Sequence, residues 1–417
     1  MANTEHLALI KEDVSVWNNW YKKNKKVVPD LSNANLSNIN LSGINLHKAD
    51  LRSANLGNTD LSKAQLENAN LEGANLLKAN LQDANLKGAS LDFVIFSQAR
   101  INSKTIIADK NRCVYNIVNN TAENKNFTGA DLSNSNLFRA DLNNADLSNA
   151  KLVNANLNSA NLSNAYLYRA DLTKANLQNA DLKNAYLSQA NLTNANLAKA
   201  SCDGTYLKDA ELKFANLKTT KLSQKTMVDS KWYSVWEIVN RGAVGRNLSG
   251  MDLSQANLQG ANFEKANLSN ANLSEAILNN SNLTDANLTN TNLTGADIHG
   301  VDLDKVNLQK TKLKSAVGSH DNHLPVTKSF DQSNVMVKEK PIAETKTLNQ
   351  PIAKSNTTEQ VSTTNSQKQS KNKSIISILS LAVIATFGIG SYFFLQQNHS
   401  FSGQTWQQKL EQLIPAK

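Results

Sequence analysis

Six histidines are scattered along the chain: His6, His47, His299, His320, His323 and His399. Metal ligation needs such side chains at ligand spacing on a framework that holds them. Only His320 and His323 stand close together, and they lie in a polar tract with nothing to build a site around. The two cysteines, Cys113 and Cys202, are too far apart for a metal-ligand motif and suggest a reducing compartment. Aspartates are frequent, but they recur at one position of a short repeat, so neighbouring carboxylates arise automatically. They therefore do not argue for a glycosidase-type acid pair or a cation site. There is no phosphate-cradling glycine loop, and no Ser-His-Asp order that a nucleophilic mechanism would need. Asn-Leu-Ser and Asn-Leu-Thr match the glycosylation sequon throughout, which follows from the repeat itself. The expectation is a protein with no catalytic residues, no metal and no cofactor.

The elements that would position any other function come from the repeat. From Phe127 to Met227 every fifth residue is Leu or a near substitute, with Cys202 the one small intruder. Two residues earlier sits Ala in most units (Ala140, Ala145, Ala150, Ala155), and Asn or Asp usually stands between. A period of five fits neither a helix at 3.6 nor a half-buried strand at 2. It also fails the heptads of a coiled coil. It suits a solenoid in which each unit buries one large and one small side chain and turns on Asn, Asp, Ser or Gly. Tyr166, Tyr186 and Tyr206 replace the Asn/Asp at intervals of four units. Four units per coil would stack these rings on one face at about 4.8 Å, the strand spacing.

The runs Ala140-Asp141-Leu142 and Ala155-Asn156-Leu157 resemble the pentapeptide-repeat family. That resemblance implies an all-β solenoid, a right-handed quadrilateral β-helix, with the central Leu or Phe and the preceding Ala inside. It covers roughly two-thirds of the chain and says little about function. The family is most abundant in cyanobacteria, which makes a plasma or thylakoid membrane setting the implied one. Some of its members resemble duplex DNA and act on DNA gyrase.

The expected organisation is an amphipathic cap helix and basic stretch over 1–28, with repeat blocks over 29–106, 127–227 and 248–315. Helical insertions over 107–126 and 228–247 separate the blocks. A disordered linker over 316–373, a transmembrane helix over 374–395 and a short tail over 396–417 complete it. Leu7, Ile10, Val14, Trp17 and Tyr21 fall on one face of a single N-terminal helix that would cover the first coil. The start of the chain shows no signal-peptide pattern. Lys22, Lys23, Lys25 and Lys26 read as a solvated basic stretch, with a membrane surface or an acidic partner as the alternative. In block one Ile101 and Ile106 continue the Leu phase. The two insertions are related without gaps at a shift of 121 residues: Ile117-Val118-Asn119 aligns with Ile238-Val239-Asn240. Each reads as a short helix on the solenoid wall. Trp232, Tyr233 and Trp236 are either part of that structural plug or a knob for a partner.

Ile375 to Leu395 is uncharged and long enough to cross a bilayer. Lys368, Lys371 and Lys373 precede it, which keeps the large N-terminal part cytoplasmic under the positive-inside rule. The linker would reach on the order of 40 Å as a flexible coil. The chain carries a net charge of +9, with 29 Lys/Arg against 25 Asp/Glu between Leu31 and Ser315. A nucleic-acid mimic needs an acidic surface, so this balance disfavours the gyrase-binding alternative. The leading expectation is a non-enzymatic, membrane-tethered scaffold for an unknown protein partner. Its candidate partner surface is Tyr166, Tyr186 and Tyr206, with Trp232, Tyr233 and Trp236. The alternative is a passive structural subunit of a membrane complex.

Overall fold

The computed structural model describes residues 2–120 and 125–318. The linker beyond residue 318, the expected transmembrane helix at 374–395 and the tail lie outside these residues. Among the described residues no helix is long and apolar enough to cross a membrane.

Each pentad forms one side of a four-sided coil. The residue before Leu bridges in parallel to the residue 20 positions later, as in Asn35 to Asn55 to Asn75 and Asn156 to Asn176 to Asn196. Leu N–H donates upward to the next coil, as Leu157 N to Asn176 O at 2.8 Å. The residue before it donates downward, as Asn156 N to Ser135 O at 2.9 Å. A turn bond then closes each corner, as Ala160 N to Leu157 O at 3.0 Å. Because a corner falls every five residues, the bridges stay isolated and never lengthen into strands. The second residue after Leu takes the left-handed conformation at nearly every corner, for example Asn144, Asn164 and Lys174 with φ near 57°. Left-handed backbone strains most side chains, and Asn and Gly tolerate it best, which explains their abundance there.

The Leu and Ala columns face inward and are buried along most of the tract, with Phe96 and Phe263 among the largest members, while Ala89, Ile101, Ala130 and Leu222 near the block ends are only partly covered. Where Thr replaces Ala, its hydroxyl stays satisfied inside the core. Thr59, Thr205 and Thr291 donate to the carbonyls of Leu36, Leu182 and Leu268 at 2.6–2.7 Å. Outside, asparagine amides stack along the walls: Asn136, Asn156, Asn176, Asn196 and Asn216 form one continuous ladder.

The N-terminal cap departs from the single helix expected. It is two helices, α1 (Thr4–Glu12) and α2 (Val14–Lys23). Asp13 breaks them with extended backbone, and its carboxylate caps α2 through Ser15 N at 2.6 Å. The cap occupies polar groups that the first coil would otherwise expose. Trp17 Nε1 donates to Asn45 O at 2.6 Å, Asn45 N to Asn18 Oδ1, Tyr21 Oη to His47 O, and Asp30 N to His6 Nδ1. This is edge protection, since an open coil is a row of unpaired amides.

The phase at the ends of blocks one and two also differs from the sequence expectation. Ile106 and Met227 are not core residues. They bridge outward to Asn85 and Tyr206, 21 rather than 20 residues away, and are 51% and 56% exposed. Each block ends in a six-residue unit, and Ile107 and Val228 turn inward instead. Then follow α3 (Asp109–Val118) and α4 (Ser230–Arg241). Beside each helix the blocks meet directly, Phe93 N donating to Asn134 O at 2.7 Å and Phe214 N to Gln255 O at 2.8 Å. Pairing in block three reaches Val317, which bridges to Asp297, two residues past the expected boundary.

Candidate functional site

Two surface features gather the candidate residues. The first is the tyrosine column. Tyr166 bridges to Tyr186, Tyr186 to Tyr206, and Tyr206 to Met227, so four successive coils place these side chains on one wall. The Tyr166 and Tyr186 rings stack with centroids 5.1 Å apart and planes 4° apart. Their faces cover one another, so the column shows a partner mainly ring edges. Tyr186 and Met227 are exposed, and Tyr166 and Tyr206 are half-buried. Tyr168 flanks the column, with the Arg169 guanidinium 5.0 Å over its ring. Gln189 Oε1 accepts from both Tyr168 Oη (3.2 Å) and Arg169 Nε (2.9 Å). The result is an ordered aromatic stripe with a polar fringe, on a wall whose neighbouring surface residues include Ser148, Asn149, Ser188, Lys208 and Asp209. Sequence reasoning passes over Tyr168, Arg169 and Met227. Tyr168 sits at a position the pattern treats as generic, and Met227 keeps the spacing of a core residue.

The second feature is α4. Trp232 and Trp236 are buried against the wall, and Trp236 Nε1 donates to Thr220 O at 2.8 Å. Lys231 and Arg241 cover the two indoles as cations, each 4.9 Å from a ring centroid. Tyr233 is exposed and leans on Trp236 at 5.5 Å. Asn240 ties the helix down: its Nδ2 donates to Leu217 O at 3.0 Å, and its Oδ1 accepts from Thr219 N at 2.6 Å. Asn119 of α3 repeats this clamp on Phe96 O and Gln98 N, at the same 121-residue shift. The structure therefore places two of the three α4 candidates in a packing role and leaves Tyr233 as the residue a partner can reach. The tyrosine column and α4 occupy different elements.

The chemistry of the remaining titratable groups is that of a wall. Among the described residues no group of His, Cys, Asp and Glu is arranged to hold a metal ion. Burial pushes the Cys202 thiol up to about 12 and also raises Cys113, so neither is poised as a thiolate nucleophile. The carboxyl of Asp30 is held below its ordinary range by the backbone N–H and hydroxyl of Ser32. That of Asp50 is held down by the Arg52 guanidinium, a pair at 2.6 Å. These are turn carboxylates engaged in their own corners.

Coils of four pentads, an inward Leu column and walls of amide ladders define a solenoid protein. The pentapeptide repeats family matches in eight copies, over residues 30–67, 64–102, 123–152, 150–189, 185–224, 247–280 and 281–317. More than half of the chain is matched, and the chain belongs to the pentapeptide-repeat family. Among solved structures it is similar to HetL, a pentapeptide repeat protein involved in heterocyst differentiation regulation from the cyanobacterium Nostoc sp. strain PCC 7120. The identity there is 25%, over 69% of this chain and 88% of that one, with a TM-score of 0.21. A pentapeptide repeat protein from the Arabidopsis thaliana thylakoid lumen is 32% identical over 26% of this chain and 74% of its own, at a TM-score of 0.24. Full-length QnrB1, a plasmid-mediated fluoroquinolone resistance protein, is 13% identical over 67% and 93%, at 0.20. No curated protein matches the chain.

Proposed function

We propose that this protein is a non-enzymatic interaction scaffold, tethered to a membrane by Ile375–Leu395 and presenting its β-helical coils on the cytoplasmic side. The observation that carries the reading is the column Tyr166, Tyr186, Tyr206 and Met227. Tyrosine and methionine are enriched at protein interfaces because they offer large contact area with few degrees of freedom to lose or with an adaptable shape. Here they are preset by the backbone ladder, so a partner that binds them orders little. The fringe of Arg169 and Gln189 supplies polar groups at the edge of that area. The tether rests on an uncharged stretch of bilayer length preceded by three lysines. The near balance of charge in the repeats supports a protein partner over nucleic acid.

In-cell crosslinking with mass spectrometry tests this, comparing the full chain with a form ending at Ser374. A discrete partner captured through the tyrosine wall, and only by the full chain, is the expected result. Capture by both forms would mean the apolar stretch merely raises local concentration. Capture by neither would overturn the scaffold in favour of a passive structural role.

A further inference from the structure

The last turn of α2 and the connection after it carry four lysines, Lys22 and Lys23 in the helix and Lys25 and Lys26 beyond it, and all four are exposed. None of them appears in an ion pair among the described residues. The next two residues are Val27 and Val28, 41% and 59% exposed, and Val28 is the most exposed of the large hydrophobic residues described. This is not a loose tail. Asn24 N donates to Trp20 O and Tyr21 O, Asn24 Nδ2 to Trp20 O, and Val27 N to Asn24 O at 2.8 Å. Pro29 is buried at its far end, and Asp30 is bonded to both Asn3 and His6 of the cap. The fold thus holds a helix end and a tight loop that together turn two apolar side chains and four cations to solvent.

We infer that this loop is a contact for an anionic lipid surface. Lysines alone would fit any acidic partner. The exposed valines decide between them, because two small aliphatic side chains beside four ammonium groups match the boundary between acyl chains and charged headgroups. Lysine suits that boundary, since its stem lies along apolar matter while the ammonium reaches phosphate. The proposed function already brings the chain to a membrane through its uncharged stretch of bilayer length. The inference rests on that reading for the presence of a membrane, and on the loop's own side chains for the contact itself.

The experiment uses the full chain with Cys113→Ser and Val28→Cys. The thiol introduced at position 28 is labelled with an environment-sensitive fluorophore, while buried Cys202 stays unreacted. The probes are vesicles of phosphatidylcholine alone and of phosphatidylcholine with phosphatidylglycerol. A blue shift with the anionic vesicles only, reversed by salt, is the expected result. Replacing lysines by glutamine should weaken the apparent vesicle affinity of the loop signal by about fivefold per lysine. An equal shift with neutral vesicles, no shift with anionic ones, or an undiminished shift in the four-glutamine variant would overturn the inference. A response to polyglutamate but not to vesicles would overturn it too, and assign an acidic protein surface instead. Flotation with neutral vesicles reads the tether alone, so the two readings fail separately.

Discussion

Replacing Tyr166, Tyr186 and Tyr206 together by asparagine separates a partner surface from a stabilising stack. The loss of the Tyr166–Tyr186 stack costs about 0.5–1.5 kcal/mol. The Tyr186–Tyr206 neighbour contact adds roughly 0.2–1 kcal/mol. Asparagine is the resident side chain of these walls, so the replacement is not a deletion. In the Asn136–Asn216 ladder each amide bonds to the next coil at 3.0–3.4 Å and also accepts from its own turn, as Asn158 N to Asn156 Oδ1 at 3.2 Å. Three new asparagines would make two such ladder bonds, at about 1 kcal/mol net each. Loss and gain nearly cancel, and the folding free energy should move by no more than about 1 kcal/mol. If the column anchors a partner, each tyrosine removed should cost about 2 kcal/mol or more of binding, near thirtyfold in affinity. The assay pairs a urea unfolding curve with co-purification of the crosslinked partner from the same preparation. Binding retained at wild-type level would refute the role of the column. A stability loss above about 3 kcal/mol would refute the ladder reasoning and make the column a structural stack.

Three further outcomes follow from the packing. Leu167→Ala, at a fully buried position between stacked coils, should lower stability by roughly 3–5 kcal/mol, read from the urea midpoint; a change under about 1 kcal/mol would mean the coils can collapse around the void. Trp17→Phe removes the indole bond to Asn45 O and should cost about 1–3 kcal/mol locally, with hydrogen exchange speeding up around residues 30–50 but not in block three, because each coil couples to its neighbours only. Exchange rising equally everywhere would contradict that picture. Asp30 and Asp50 have lowered carboxyl pKa values, so they contribute stability above the unfolded value of about 3.9 that is lost as pH falls through their folded values. The first coils should therefore weaken in acid below about pH 4, and Asp30→Asn should flatten that limb of the unfolding curve; an unaltered limb would remove Asp30 from the account.

Much of the wall was readable because the core is made of one residue type at one spacing. A Leu every five residues with Ala two before it can be buried only if the chain turns after each unit, and the burial of both columns follows. The tyrosine stack was readable for the same reason, since equal spacing in the sequence becomes equal height on one wall. The cap was less legible. Leu7 through Tyr21 keep helical spacing across Asp13, and spacing alone does not reveal that a carboxylate bonded to Ser15 N will end one helix and begin another. The aromatic side chains of α4 were ambiguous because an exposed knob and a packed plug require the same residues.

The period, the inward columns, the family and the relation between the two insertions are legible in residue order alone, because all of these are local rules applied many times over. Tertiary structure decided what happens where the rule breaks. Ile106 and Met227 hold the Leu spacing yet point outward, because the coil below demands a bridge at that height and one extra residue supplies it. Asn119 and Asn240 read in the sequence only as matching residues of the two insertions yet clamp a helix to a wall, because only the fold brings Phe96 and Leu217 within reach of them. Val27 and Val28 are left to solvent because Asn24 closes a local turn while Pro29 O accepts from Asp50 N and Asp30 O from Asn3 N, contacts distant in the chain.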